Sequence, residues 1–239
     1  MIHLDHITKT FGSFVAVDDL TVTIQPGEFF GFLGPNGAGK TTTIKMMAGL
    51  FTPTSGRILI DGHDTVKEPI EAKKALAYIP DQPFLYDKLT GREFLYFVGG
   101  LFKIEKKALA GKIEELISHF EVGDWVDKRT EDYSQGMRQR ITIAAALVHD
   151  PSVIVIDEPM VGLDPRSARI VKDTLKQKSR AGASIFMSTH SLQVAEELCD
   201  RIGIIKNGRL IFADTQDQLQ QYKKQYDGKF ESVFLELTK

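Results

Sequence analysis

Apolar and polar positions along this chain fall into short runs separated by turns rich in glycine and proline. Ile2-His3-Leu4 and Val15-Ala16-Val17 flank a turn at Gly12-Ser13, and Leu20-Thr21-Val22-Thr23-Ile24 alternates apolar with polar, which predicts strands. Gln25-Pro26-Gly27-Glu28 is a turn by composition. The run from Glu28 to Leu33 predicts a buried strand, and Thr42 to Ala48 predicts a helix, ended by Pro53 and Ser55-Gly56. Two further strands are predicted at Arg57 to Ile60, closed by Asp61-Gly62, and at Leu76 to Pro80.

From about Leu85 to Asp150 the spacing turns helical, with Phe94, Leu95, Phe97 and Val98, then Ile113, Leu116, Ile117 and Phe120. No flexible linker brackets this block, so it reads as an inserted helical subdomain. Val153 to Ile156 is a continuous apolar run, the mark of a strand buried on both faces. Ser167 to Lys178 is helical, Ser184 to Ser188 a strand, and Leu192 to Cys199 helical. Asn207-Gly208 between Ile202–Lys206 and Arg209–Phe212 is a strong hairpin signal. Phe230 to Lys239 predicts a last helix.

Composition narrows the class. The chain has 239 residues, room for one large α/β domain or a domain with a subdomain. A net charge of −2 argues against a nucleic-acid surface. The short blocks Glu105-Lys106-Lys107 and Lys223-Lys224 read as solvated helix faces. No uncharged apolar run approaches the about 20 residues needed to cross a bilayer, and the start lacks a signal-peptide pattern. A cytosolic protein is expected, one that docks rather than inserts if it works at a membrane. Cys199, the single cysteine, reads as a packed small apolar group. The five histidines other than His190 (His3, His6, His63, His119 and His149) show no metal-ligand spacing; His3 and His6 read as a loose strand pair.

The chemistry begins at residues 34–41, Gly-Pro-Asn-Gly-Ala-Gly-Lys-Thr, which fit the phosphate-loop pattern G-x-x-x-x-G-K-[ST] between a predicted strand and helix. The loop Gly34, Pro35, Asn36, Gly37, Ala38 and Gly39 would wrap the phosphate with its backbone N–H groups, Pro35 having none, and with the following helix start, since glycines leave the backbone open. Lys40 would reach the β- and γ-phosphates and the Thr41 hydroxyl would ligate Mg²⁺. A partner carboxylate is available at Val153-Ile154-Val155-Ile156-Asp157-Glu158, at the strand's C-terminal end, where open α/β sheets bind ligands. Asp157 fits the Mg²⁺-linked role. Glu158 would point elsewhere because strand residues alternate faces, and would polarise a water in line with the γ-phosphate. His190, at the end of Ser188-Thr189-His190, could hydrogen-bond the γ-phosphate and orient the water–Glu158 pair. Ser134-Gln135-Gly136 reads from the residues alone as a helix cap.

Taken in order, these motifs resemble the ATP-binding cassette family of ATPases over nearly the whole chain, about residues 2 to 215. Gly34 to Thr42 is similar to that family's phosphate loop, Tyr133-Ser134-Gln135-Gly136-Met137 with Arg138-Gln139-Arg140 to its signature, Gly162-Leu163-Asp164 to its D-loop and His190 to its switch histidine. The resemblance implies that Phe11 stacks on adenine. It implies an α/β fold: a mainly parallel phosphate-loop ATPase core over about 1–83 and 151–215 with an N-terminal antiparallel β-subdomain, a helical subdomain over about 84–150, and a helical tail over about 216–239. It implies a head-to-tail pair, in which Ser134, Gln135, Gly136, Met137 and Asp164 of one copy close on the ATP of the other. Tyr133, Gln135 and Met137 depart from the common Leu-Ser-Gly-Gly-Gln, while Gly136 is kept. The Q-loop position falls on Asp81, with Gln82 beside it; either could touch Mg²⁺ or the attacking water.

The resemblance further implies ATP and Mg²⁺ as cofactors, a second copy or a paralogous cassette as one partner, and transmembrane permease chains as the other. A non-transport cassette of the repair, translation or iron–sulfur kind is the alternative, weakened by the absence of long coiled coils and of a second cassette. Phe84-Leu85-Tyr86 and Phe94 to Val98 give the helical block an aromatic content that suits a permease docking surface, though at least half should be subdomain core. By analogy with separate exporter ATPase chains, export is expected, at the inner face of the membrane through the permease.

Overall fold

The computed structural model of the protein describes residues 1–224 and 228–238. Two long strands come first, β1 (Ile2–Phe11) and β2 (Phe14–Ile24). Val15–Val17 and Leu20–Ile24, which the pattern splits, are one strand; an irregularity between the Ile7↔Leu20 and Lys9↔Val17 pairs breaks the alternation, with Asp19 at φ 51°. Next are β3 (Phe29–Leu33), α1 (Lys40–Met47), β4 (Ser55–Ile60), β5 (His63–Asp64), α2 (Pro69–Ala75) and β6 (Leu76–Ile79). Helix α2 has no counterpart in the sequence reading, because Ala72 is its one buried residue and no apolar period exists to read.

The helical block contains α3 (Gly91–Leu101), α4 (Lys106–His119) and α5 (Gln135–Ala146). Helix α3 starts at a capping box: the Thr90 hydroxyl accepts from Glu93 N–H at 3.1 Å, and the Glu93 carboxylate accepts from Thr90 N–H at 2.8 Å. The chain then runs through β7 (Val153–Asp157), α6 (Pro165–Arg180), β8 (Ser184–Ser188), α7 (Leu192–Leu198), β9 (Arg201–Lys206), β10 (Arg209–Thr215), α8 (Gln216–Lys224) and α9 (Phe230–Thr238). Of the tail expected over 216–239, residues 225–227 and 239 lie outside the described residues. Asn207 (φ 49°) and Gly208 (φ 80°) make the left-handed pair that a tight hairpin demands. Cys199 falls just beyond α7 and is buried, its sulfur so close to Gly31 that a side chain there would sit 2.7 Å from it.

Two sheets result. The four-stranded one, β2-β1-β4-β5, is antiparallel; the six-stranded one runs β10-β9-β3-β8-β7-β6, parallel except for β10. Strands β3, β7 and β8 are buried at every position, so both faces of the larger sheet carry core. Phe30, Phe32, Val153, Val155 and Phe186 pack toward the antiparallel sheet and α1. Phe29, Leu33, Ile154, Ile156, Ile185 and Met187 pack with residues of the helical block, α6 and α7. This period-two division is what a doubly covered strand requires. Each fully buried Phe, Ile or Leu contributes about 1.5–3 kcal/mol relative to exposure. Because β3, β6, β7 and β8 run parallel, residues following Leu33, Ile79, Asp157 and Ser188 converge on one edge of the sheet.

Candidate nucleotide site

The loop after β3 is shaped by its surroundings. Gly39 caps α1 at φ 112°, and a side chain there would come 2.5 Å from the Ala16 carbonyl. A side chain at Gly34 would overlap the Ile205 carbonyl. The β9–β10 hairpin closes the other side: Gly208 N–H donates to Ala38 O at 2.9 Å, and Gly208 O accepts from Asp18 N–H at 2.9 Å. Lys40 donates to the carbonyls of Gly34 (2.7 Å) and Pro35 (3.1 Å), arching over the loop it belongs to. Burial pulls its pKa down, opposed by the charges of Glu158 and Asp157.

At the end of β7 the buried Asp157 accepts from the Thr41 hydroxyl at 3.2 Å and from the Ser188 hydroxyl. Burial raises its pKa, helped by the charges of Asp81 and Glu158, while the hydrogen bonds from Ser188 and Thr41 act the other way. Glu158 diverges from Asp157, but not through strand alternation. The strand stops at Asp157, and Glu158 adopts a left-handed φ of 49°, a costly conformation for a non-glycine residue. Its N–H donates to Ser188 O at 3.1 Å. Its carboxylate accepts from the Thr189 hydroxyl at 3.2 Å and meets His190 Nδ1 at 2.8 Å. Loop conformation and β8 together aim this carboxylate, and Ser188 and Thr189 are contributors that sequence reading left unassigned.

Asp157, Glu158 and His190 line a cavity of about 650 Å³ together with Asn36, Gly37, Gly39, Lys40, Thr41 and Thr42. Gly34 and Ala38 are buried behind the loop and Pro35 is exposed. Two expectations shift. Asp81 lines the cavity and Gln82 does not; Asp81 instead accepts the Gln82 N–H at 2.9 Å, and the Gln82 side chain is exposed. Phe14, 61% exposed, also lines it, whereas Phe11, its cross-strand partner, stands edge-on to Phe51 at 5.6 Å with Lys9 over its ring. An aromatic directly after the Gly12-Ser13 turn, on the facing strand, was the available signal for Phe14.

The signature residues lie outside this cavity. Ser134 caps α5 by accepting Met137 N–H at 3.3 Å. Tyr133 is buried, and its hydroxyl accepts the Gly91 N–H at 3.1 Å and donates to the Val126 carbonyl at 3.1 Å. The unusual first residue of the motif therefore ties α5 to the start of α3. The Gln135 side chain packs over Gly162, and a side chain on Gly136 would sit 2.9 Å from the Gly162 carbonyl. Asp164 caps α6, accepting from Arg166 and Ser167 N–H at 3.0 Å each and from the Ser167 hydroxyl, bonds that hold its pKa low. Signature and D-loop thus form one packed surface.

A family model described as ABC transporter matches residues 17–161. The chain is 38% identical over 213 residues to the ABC transporter ATP-binding protein NatA of Bacillus subtilis, covering 89% of this chain and 87% of that one. It is 36% identical to the Linearmycin resistance ATP-binding protein LnrL of the same organism, covering 92% and 70%. A solved ATP-binding subunit of an ABC transporter superposes over 100% of both chains with TM-score 0.94 at 30% identity. A dimeric ATP-binding cassette in a post-hydrolysis state with ADP and Pi superposes with TM-score 0.81 at 25% identity, over 90% of this chain and 99% of that one. The chain belongs to the ABC transporter family. It is an ATP-binding, ATP-hydrolysing subunit of that family, built on the cassette fold. Among the described residues no helix is long and apolar enough to cross a membrane.

Proposed function

We propose that each copy of this chain binds MgATP in the cavity of residues 34–42 and hydrolyses it with Glu158 once a second cassette has closed over the nucleotide. The observation that carries this reading is the arrangement of Glu158, held by Thr189 and His190 beside the Thr41–Asp157 pair. Lys40 leaves its loop carbonyls to meet the β- and γ-phosphates. Glu158 orients a water, and His190 steadies that carboxylate and donates toward the γ-phosphate. The hydroxyl of Thr41 and carboxylates of Asp157 and Asp81 are hard oxygen donors of the kind Mg²⁺ takes, with phosphate oxygens and water completing its shell. When bound, the metal neutralises charge on the β- and γ-phosphates.

Ser134, Gln135, Gly136, Met137 and Asp164 do not reach their own chain's cavity, which supports their use on the nucleotide of a second copy or a paralogous cassette. The chain reads as one cassette, its core over about 1–83 and 151–215 and its helical subdomain over about 84–150. Permease chains are the further partner. An apolar groove between β6, α3 and α5, lined by Tyr78, Phe84, Phe94, Val98 and Phe102, supports a docking surface there, with Phe84 75% exposed. Phe94 and Leu95 are buried in the subdomain core. Export at the inner face of the membrane is the direction favoured by the antibiotic-resistance relative.

The deciding experiment is Glu158→Gln. Hydrolysis should fall by at least about a hundredfold while ATP still binds, and a dimer should accumulate in MgATP by light scattering. A variant that hydrolyses ATP at the wild-type rate would remove Glu158 from its role.

A further inference from the structure

The helix pair α8–α9 has no part in the chemistry above, yet it is built onto the short helix that follows His190. Gln216, the first residue of α8, donates its side-chain amide to the carbonyls of Ala195 (3.2 Å) and Glu196 (3.4 Å), in the last turn of α7. Its backbone N–H donates to the Asp200 carbonyl at 3.1 Å. Lys223 reaches Glu196 at 2.6 Å and is itself 16% exposed. Leu219, Phe230 and Val233 are buried in the same apolar cluster as Val194, Ala195 and Leu198. Lys223 and Phe230 face Leu192, Gln193 and Glu196 across a small cleft.

The other end of α7 joins the reacting groups. Ser191 caps it, accepting Val194 N–H at 3.4 Å, and Ser191 N–H donates to the Thr189 hydroxyl at 3.1 Å. That hydroxyl donates to Glu158, and His190 between them meets the other carboxylate oxygen. With seven residues, α7 is too short to hold a geometry unaided, so its position is set by whatever packs on it. Carbonyls in a helix's last turn lack partners further along the helix; Ala195 O takes Cys199 N–H at 3.0 Å as well as the Gln216 amide, and Glu196 O takes the Gln216 amide.

We propose that α8–α9 is a positioning clamp of the ATPase site: through Gln216 and Lys223 it holds α7, and the start of α7 holds His190 and Thr189 against Glu158. Gln216 and Lys223 are positioning residues, remote from the nucleotide. The inference rests on the assignment of Glu158 and His190 made above.

The test uses the full chain with Gln216→Glu, which keeps side-chain length but removes the donating amide, with Lys223→Glu, and with Lys223→Glu combined with Glu196→Lys. Single substitutions should lower kcat roughly three- to tenfold with KM for ATP within about twofold, the split that marks lost alignment rather than lost binding. In protein labelled at histidine Cε1, the His190 NMR resonance should move while those of His3 and His63 stay. The charge-swapped pair should return both readouts toward wild type. A drop in kcat with an unmoved His190 resonance, folded single variants with wild-type kcat, or a charge swap that restores nothing would each overturn the clamp. If Lys223→Glu does not fold, Gln216→Glu and Lys223→Gln carry the same decision. An active wild type silenced by Glu158→Gln beside fully active tail variants would reject the clamp alone.

Discussion

Tyr133→Phe isolates one buried hydroxyl at the root of the signature loop. In the wild type this hydroxyl accepts the N–H of Gly91, the first residue of α3. An N–H in a helix's first turn has no partner inside its helix. The acceptors on the other side of Tyr133 keep other bonds: Val126 O takes Arg92 N–H and Trp125 O takes Lys128 N–H. The ring also keeps its edge-to-face contact with Trp125 at 4.9 Å. Phenylalanine therefore costs one orphaned buried donor, about 1–3 kcal/mol. For a chain of this size about 2 kcal/mol corresponds to a melting shift of roughly 4–8 °C. Calorimetry and urea unfolding should both register the loss, with an unchanged m value in urea. Since Ser134 follows Tyr133 directly, ATP-driven dimerisation should weaken while nucleotide binding by a single copy is retained. A stability change below about 0.5 kcal/mol would refute the reasoning, because it would mean that Gly91 has another acceptor.

Other expectations follow from the same geometry. Lys40→Ala should weaken ATP binding by about 1.5–3 kcal/mol, read by calorimetric titration, the range for a hydrogen bond to a charged group; unchanged affinity would contradict the phosphate-loop assignment. Asp157→Asn should abolish Mg²⁺-dependent hydrolysis yet stabilise the nucleotide-free fold at neutral pH. Burial raises the Asp157 pKa above its unfolded value of about 3.9, so the wild-type contribution is present below that value and lost as pH rises through the folded pKa. The gain from Asn should therefore fade on acidification, and melting curves from pH 4 to 8 with no such convergence would count against it. Phe14→Ala should weaken ATP binding by roughly 1–3 kcal/mol if its ring stacks on the base, by analogy with base–aromatic stacking, and Phe11→Ala should cost less; the reverse order in titrations would return adenine stacking to Phe11.

Much of this fold is legible in the sequence where burial is complete. Val153–Ile156 and Ser184–Ser188 read as strands because both faces are covered, so nearly every residue is apolar. Asn207-Gly208 reads as a hairpin because left-handed backbone at two consecutive positions selects those residues. Helix α2 escapes notice because a helix lying on the surface leaves no apolar stripe. The site divides in the same way. Lys40, Thr41 and Asp157 sit on or beside regular elements, and spacing along the chain finds them. Glu158 and Asp81 are also named by their place in the chain, but their aim depends on how loops turn, and the left-handed Glu158 has no marker in residue type; Phe14, the first residue of β2, is the lining residue that the reading missed. Tyr133 looks like a departure from a motif until its long-range partner, Gly91, is known.

The wedge that shapes residues 34–39 has an order-of-assembly consequence. Its walls come from Ala16, made before the loop, and from Ile205 and Gly208, made long after it. A growing polypeptide thus carries its triphosphate cradle long before the second wall exists. Competence to hold nucleotide should arrive late and abruptly, when the hairpin at 207–208 clears the ribosome, and fragments ending short of it should leave the cradle unsupported.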